Sequence, residues 1–326
     1  MEAKKTYLWT YLMAALMALT VLSCSSSQEE SSVPDGPWTS SAKIVLHIPD
    51  SKMPVYSTRA IGDEMSLRAV AEVYLPGCNE CLKHLSLMLT PTAQKEVYYC
   101  VIDELPVGDY EVYFWVDYSA SGSDMFYNTE NLQEVKVIHN DVHVADEKSR
   151  QAFIGKTTVS LTQNVVSHAQ PVMAKTPFAH YCIEAIDIAD YERMKHANGW
   201  PELEDLQIRI TYLSYYPTSF NMLREQPNNA EQGISFISST GMQQDGKVIV
   251  GDDYVFVTGN ESSVKIRVEI INSTTDEVIS TADDIDVNYR QGYVAIVSGN
   301  FLTANSILGG SLAIDTRWEG EYNVEF

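Results

Sequence analysis

The chain has 326 residues, 45% of them hydrophobic and 20% charged, which excludes a disordered or fibrous protein and allows either two domains of roughly 100–200 residues or one large all-β domain. With 22 basic against 44 acidic residues the formal net charge is −22, and a surface so acidic repels phosphate backbones and anionic lipid faces, so nucleic acid is excluded as a partner. Beyond the N-terminus no apolar run is long enough to span a bilayer.

Residues 1–23 read as a secretory signal: Lys4 and Lys5 are basic, residues 11–22 are apolar, and residues 25–30 are polar again. The join Val21-Leu22-Ser23-Cys24 resembles the lipobox of bacterial lipoproteins, although Leu22 stands where a small residue is commoner. An ordinary secretory peptide with an incidental cysteine is the alternative. The resemblance implies that Cys24 is acylated, palmitate included, becomes the mature N-terminus and holds the chain at a membrane. Residues 24–39 then form a flexible tether, whose Ser25-Ser26-Ser27-Gln28-Glu29-Glu30 resembles the acidic tether of surface-exported lipoproteins of Bacteroidetes. A plain solvated linker is the other reading. Val33-Pro34-Asp35-Gly36-Pro37 is rich in turn formers, so folded structure is expected from about Trp38.

From there a period of two dominates. Ile44, Leu46 and Ile48 alternate with Lys43, Val45 and His47, and Tyr110, Val112, Phe114 and Val116 with Glu111, Tyr113, Trp115 and Asp117. Val264, Ile266, Val268 and Ile270 alternate with Lys265, Arg267 and Glu269. Further strands are expected over 68–75, 84–90, 97–103, 132–138, 156–162, 206–215, 234–238, 253–258, 276–281, 292–298, 310–315 and 322–326. One helix is expected over Ile188–Asn198, stopped by Gly199-Trp200-Pro201. Many short strands parted by Gly, Asn, Asp and Ser turns predict β-sandwiches. The unpatterned stretch 162–175 divides them into an N-terminal sandwich, 40–165, and a C-terminal one, 166–326.

Chemistry-bearing motifs are scarce. There is no GxSxG, HExxH, P-loop or Rossmann fingerprint, so no cofactor is implied. Cys78-Asn79-Glu80-Cys81 is a CxxC. It follows a Leu75-Pro76-Gly77 turn rather than opening a helix, and Cys100 and Cys182 do not form a second close pair. A turn with free or locally bridged thiols fits better than a metal or redox site. His139 and His143 read as a solvated loop pair, and Gly251-Asp252-Asp253 and Asp283-Asp284-Ile285-Asp286 as solvated acidic turns with at most weak calcium affinity. Two aromatic groups are candidate sugar-stacking platforms: Phe114-Trp115 with Tyr127, and Tyr212, Tyr215, Tyr216 with Phe220. Of these, Trp115, Tyr127, Tyr215 and Tyr216 are the candidate ligand residues, although aromatics alternating along strands more often fill a core.

Several stretches together resemble one family. Asp109-Tyr-Glu-Val-Tyr-Phe-Trp-Val-Asp117, Phe126-Tyr-Asn-Thr-Glu-Asn-Leu132 and Gln151-Ala-Phe-Ile-Gly155 resemble the first domain of fimbrillin-like lipoproteins of Bacteroidales. Lys175-Thr-Pro-Phe-Ala179, with Thr176 in place of the usual arginine, resembles the opening of their second domain. Tyr216-Pro-Thr-Ser-Phe-Asn-Met222 and Asn288-Tyr-Arg-Gln-Gly-Tyr-Val-Ala-Ile-Val-Ser-Gly-Asn-Phe-Leu-Thr303 are similar to later signatures, and Ser57-Thr-Arg-Ala60 to the segment after the first strand. The matches run in family order, and the branch looks like an uncharacterised domain family beside the fimbrillins.

The resemblance implies an all-β chain of two tandem transthyretin-like (Greek-key) β-sandwiches. It also implies a non-enzymatic lipoprotein anchored in the outer membrane and exposed at the cell surface, acting as a pilus subunit, anchor or adhesin. Its partners would be other fimbrillin-like subunits or surface ligands. Subunits of the related pili join by strand donation, so residues 42–48 are the strand expected to be removable and Arg59 the expected protease cut. An ordinary loop arginine is the alternative at Arg59. A glycan-binding lipoprotein of a polysaccharide-uptake system is the second reading; exposed Trp and Tyr rows favour it and buried ones the first.

Overall fold

Where apolar and polar residues alternate, the chain forms strands. Thr39–His47 buries Ala42, Ile44 and Leu46, and Glu261–Asn272 buries Val264, Ile266, Val268 and Ile270. The structure, a computed structural model, describes residues 38–49, 65–139, 145, 148–163, 166–241, 243–244, 246–257, 261–304 and 315–321. Among the described residues the fold is almost entirely β, with the α-helix Ile188–Asn198. No helix among them is long and apolar enough to cross a membrane.

Two sheets occupy the first half. One is antiparallel, in the order Cys81–Met88, Ser66–Tyr74, Gly108–Ser119, Ala152–Leu161. The other places Thr39–His47 antiparallel to Val97–Pro106, with the two-residue strand Thr90–Pro91 beyond it. Their inward residues form one cluster, including Ile44, Leu46, Ala71, Val73, Ile102, Val112, Phe114 and Phe153.

The second half also carries two sheets. A five-stranded sheet runs Gln243–Gln244, Lys247–Phe256, Phe178–Ala185, Tyr293–Gly299, Asp315–Glu321, its third and fourth strands parallel. A four-stranded antiparallel sheet runs Ser235–Ser239, Leu206–Tyr212, Glu261–Asn272, Val278–Arg290. Tyr181, Ile183, Ile208, Ile210, Val250, Ile266, Val268 and Val287 belong to the cluster between them.

A third cluster joins the halves. Val70, Trp115 and Ile154 on the far face of the first sheet meet Phe178, Cys182, Phe256 and Ile296 on the far face of the five-stranded sheet. Burial on both faces explains why Phe178–Ala185 carries no exposed position. A small fifth sheet, Gln226–Glu231, Tyr216–Asn221, Val135–Val137 and Tyr127–Asn128, is built from both halves. Residues 38–326 accordingly form one compact unit.

The helix ends at the glycine expected to stop it. Gly199 adopts the left-handed conformation at φ 67° and donates its N–H to the Lys195 carbonyl. Other expectations shift. Residues 132–138 do not form one strand: Asn131 accepts from the Gln133 N–H and starts a 3₁₀ turn, Leu132–Glu134, before the strand Val135–Val137. Gly251-Asp252-Asp253 is no turn but the middle of the buried strand Lys247–Phe256. A Cβ at Gly251 would stand 2.4 Å from Ile210 Cδ1, so the absent side chain is what lets the two sheets approach there. Asp283, Asp284 and Asp286 also lie in a strand, Val278–Arg290, where Arg267 and Lys265 of the neighbouring strand pair with Asp283 and Asp286. The strand expected at 322–326 lies outside the described residues, as does 310–314; the last described strand is Asp315–Glu321.

Candidate functional site

The strand Thr39–His47 is held on both sides. Its eight register partners on Val97–Pro106 run from Thr39↔Pro106 to His47↔Val97. On its other side it pairs in parallel with two short strands, Ser167–His168 and Val172–Met173, through Ala42↔Ser167, Lys43↔His168, Leu46↔Val172 and His47↔Met173. Ala42, Ile44, Leu46 and Ile48 are 0, 0, 1 and 3% exposed and belong to the core cluster between the two sheets of the first half. A strand that fills a groove with alternate apolar side chains and lines it with backbone bonds has the geometry of β-augmentation, supplied here by the chain itself. Removing it would take Ala42, Ile44, Leu46 and Ile48 out of the cluster that also holds Val73, Ile102, Val112 and Phe153.

The segment that flanks this strand crosses close to the first sheet. Gly155 faces Val172, and a Cβ built on Gly155 would stand 2.3 Å from Val172 Cγ1. The Ile154 N–H donates to the Lys175 carbonyl at 2.7 Å and the Lys175 N–H to the Ile154 carbonyl at 2.9 Å. Beside this crossing, Tyr113, Ile154, Gly155, Lys156, Met173, Lys175, Met222 and Glu225 line a pocket of about 230 Å³. Glu225 spans it, with one oxygen 2.8 Å from Lys156 Nζ and the other 2.6 Å from Lys175 Nζ. Burial raises the Glu225 acid, but the two ammonium groups outweigh that and hold it below the ordinary carboxylate value.

A second constellation is buried. Arg150, which precedes the strand Ala152–Leu161, pairs with Asp253 in the strand Lys247–Phe256, and both are almost wholly buried. Tyr212 donates to Asp253 Oδ2 at 2.6 Å, and the Tyr181 and Tyr212 hydroxyls lie 2.7 Å apart. Tyr127 donates to the Arg150 carbonyl and Tyr216 to the Tyr254 carbonyl. Desolvation pulls the Arg150 guanidinium down, and the Asp253 charge more than reverses it. Burial first, and the Asp253 charge next, push the Tyr212 and Tyr216 hydroxyls well above the usual phenol value. Next door, Asp252 lies 2.6 Å from His180 Nε2, and the His180 ring stacks on Tyr254. These pairs secure strands against one another, since a buried charge must be paired to be tolerated.

Of the expected ligand aromatics, only Tyr215 lies on the surface, at 64% exposure. Trp115, Tyr127 and Tyr216 are buried, Trp115 edge-on to Tyr127 with ring centres 5.1 Å apart, so they offer no open face to a sugar. Cys78 is exposed and Cys81 half-buried at the turn, whereas Cys100 and Cys182 are buried in different clusters. Among the described residues no cluster of His, Cys, Asp or Glu has the makings of a metal site. Cys24, Arg59 and His143 lie outside the described residues, and His139 lines a polar pocket of about 380 Å³ with Glu134, Thr218, Ser219, Asn229 and Glu231. The buried Arg150–Asp253 pair had no signature in sequence: its partners stand 103 residues apart, and only the excess of acid at Gly251-Asp252-Asp253 marked the place.

Residues 37–326 match a family whose description is "Family of unknown function (DUF6562)". The chain belongs to that family. No curated protein matches it in sequence. Among solved structures, a protein from Bacteroides ovatus ATCC 8483 assigned to cell adhesion superposes with a TM-score of 0.51 at 13% identity, over 88% of this chain and 99% of the other. An assigned adhesin from Bacteroides thetaiotaomicron VPI-5482 gives 0.47 at 11% identity, over 88% and 98% of the two chains. The fimbrial anchor protein Mfa2 from Porphyromonas gingivalis gives 0.46 at 9% identity, over 86% and 98%. The fold is thus shared with the Bacteroides ovatus protein over nearly the whole of both chains.

Proposed function

We propose that this member of the DUF6562 family is a non-enzymatic surface lipoprotein, a fimbrillin-like pilus subunit, anchor or adhesin. In this reading it is held in the outer membrane through acyl groups on Cys24, it folds as two tandem transthyretin-like sandwiches, and its partners are other subunits of its kind. It joins them by exchange of the strand Thr39–His47. The observation that supports the reading is the seat of that strand: an apolar row, Ala42, Ile44, Leu46 and Ile48, completes a core that the rest of the first sandwich leaves open. The fold it shares with the Bacteroides ovatus protein assigned to cell adhesion is in keeping with this.

Two measurements test it. An arginine-specific protease is expected to cut first after Arg59 and to yield oligomers that resist mild denaturation; a cut product that stays a stable monomer sinks strand exchange. Cys24→Ala is expected to release the protein from the membrane fraction and to abolish labelling by a palmitate analogue; persistent labelling sinks the lipid anchor.

A glycan-binding lipoprotein is the second reading. It is favoured by the polar pocket of about 380 Å³, lined by Thr218, Ser219, Asn229 and Glu231. The exposed Tyr215 stands one residue from Tyr216, the strand partner of Glu231. Binding of neutral polysaccharides that is lost in Asn229→Ala with Tyr215→Ala would establish it.

A further inference from the structure

We infer that residues 167–175 form a gate over the seat of the strand Thr39–His47, held shut by Val172 in the notch left by Gly155. The inference rests on the strand-exchange reading above. With the gate in place the strand is internal, bonded to Val97–Pro106 on one side and to the gate on the other. With the gate lifted it becomes an edge strand with one ladder, and edge strands open locally far more readily.

Three separate features fasten the gate. Its backbone bonds reach the strand directly: the Ala169 N–H donates to the Lys43 carbonyl at 3.3 Å and the Ala174 N–H to the His47 carbonyl at 2.9 Å. Val172 is buried among the core residues of the first sandwich and occupies the space where any other residue at 155 would place its Cβ. Lys175 is bridged to Ile154 through the backbone and to Glu225 through its ammonium group. Glu225 sits at φ 52°, a left-handed conformation that a non-glycine residue rarely adopts, at the tip of the hairpin formed by Tyr216–Asn221 and Gln226–Glu231. The far end of the gate is therefore pinned to an element of the second half. Release of the strand needs the gate to move, and the gate answers to contacts outside the first sandwich.

The geometry at Gly155 supplies a reciprocal test. The nearest obstacle to a Cβ there is Val172 Cγ1 at 2.3 Å; the next atoms, Ala174 Cα and Val172 Cβ, stand at 3.8 and 3.9 Å, which is ordinary contact. Gly155→Ala is thus expected to unseat the gate, and Gly155→Ala with Val172→Ala to let it close again. Amide hydrogen exchange on the full chain reads this out. Gly155→Ala should speed exchange in residues 39–49 and 167–175 on the order of tenfold, with Gly108–Ser119 unchanged, as expected for local rather than global opening. The double variant should return most of the protection, and Glu225→Gln should loosen the gate to a smaller degree. Unchanged exchange in Gly155→Ala, an equal rise in Gly108–Ser119, or a double variant no better than the single one would each overturn the gate.

A second arm separates the gate from the function it serves. After cleavage at Arg59, a labelled synthetic peptide of residues 39–49 should enter Gly155→Ala faster than the wild type. Entry at the same rate in both removes the gate and leaves strand exchange standing. Faster hydrogen exchange with no peptide entry in either leaves the gate and removes strand exchange.

Discussion

Arg150 and Asp253 meet as a buried ion pair between the segment that leads into the strand Ala152–Leu161 and the middle of the strand Lys247–Phe256. Each arrives from a different half of the chain, and each is surrounded by tyrosines: Tyr127 and Tyr216 at the arginine, Tyr212 at the aspartate. Breaking such a pair by removing one partner strands the other charge in the core, which costs about 3–5 kcal/mol. Asp253→Asn is therefore expected to lower the denaturation midpoint sharply. Arg150→Met with Asp253→Leu should recover a large part of the loss. Guanidinium titrations of the three proteins check this; a loss below about 1 kcal/mol for Asp253→Asn would mean the pair is solvated after all.

Acid should loosen the loop that carries Asp124. Burial raises this acid, but hydrogen bonds from Thr129 and the charge of Arg68 lower it below the ordinary value. A depressed folded value means the native state favours the ionised form. The stabilisation is full above the unfolded value, about 4, and is lost as pH falls through the lower folded value. Asp187 runs the other way: burial lifts it despite the hydrogen bonds from Thr303 and Leu302, so the native state takes up that proton more readily. Stability measured from pH 6 downward should fall on the acid side, and Asp124→Asn should flatten part of that fall. An acid limb of unchanged slope in Asp124→Asn would show that the loop carboxylate does not couple to folding.

The four cysteines described should separate by reactivity. Cys78 is exposed, whereas burial pushes the Cys100 thiol up to about 12 and leaves no thiolate near neutral pH. Cys81 is raised by burial and then by the Glu72 charge, so it should lag behind Cys78. A thiol reagent at pH 8 is expected to modify Cys78 first and Cys100 only on unfolding, with peptide mapping to identify each site. Early modification of Cys100 would place it outside the core.

Much of the secondary structure is legible from local pattern alone. The alternation of Val264, Ile266, Val268 and Ile270 needs only a sheet with one buried face. The helix Ile188–Asn198 and its stop at Gly199 need only a residue free to adopt positive φ. Asp252 and Asp253 read as solvated because carboxylates usually are; what buries them is His180 and Arg150, brought alongside by strand pairing across long separations. Trp115 likewise shares its register with Glu111, Tyr113 and Asp117, and it is core because the first sheet is covered on two faces rather than one, with Tyr127 of the small sheet packed against it.

The sequence by itself determined the alternating strands, the helix and its cap, the acidic balance, and the apolar row of Ile44, Leu46 and Ile48, since each depends on neighbours within a few residues. Only the tertiary structure decided what lies beside that row. The parallel pairing with Ser167–His168 and Val172–Met173, the notch at Gly155 and the reach of Glu225 to Lys156 and Lys175 are relations between segments far apart in the chain. No period or propensity encodes them, because loop closure leaves the choice of distant partners to packing.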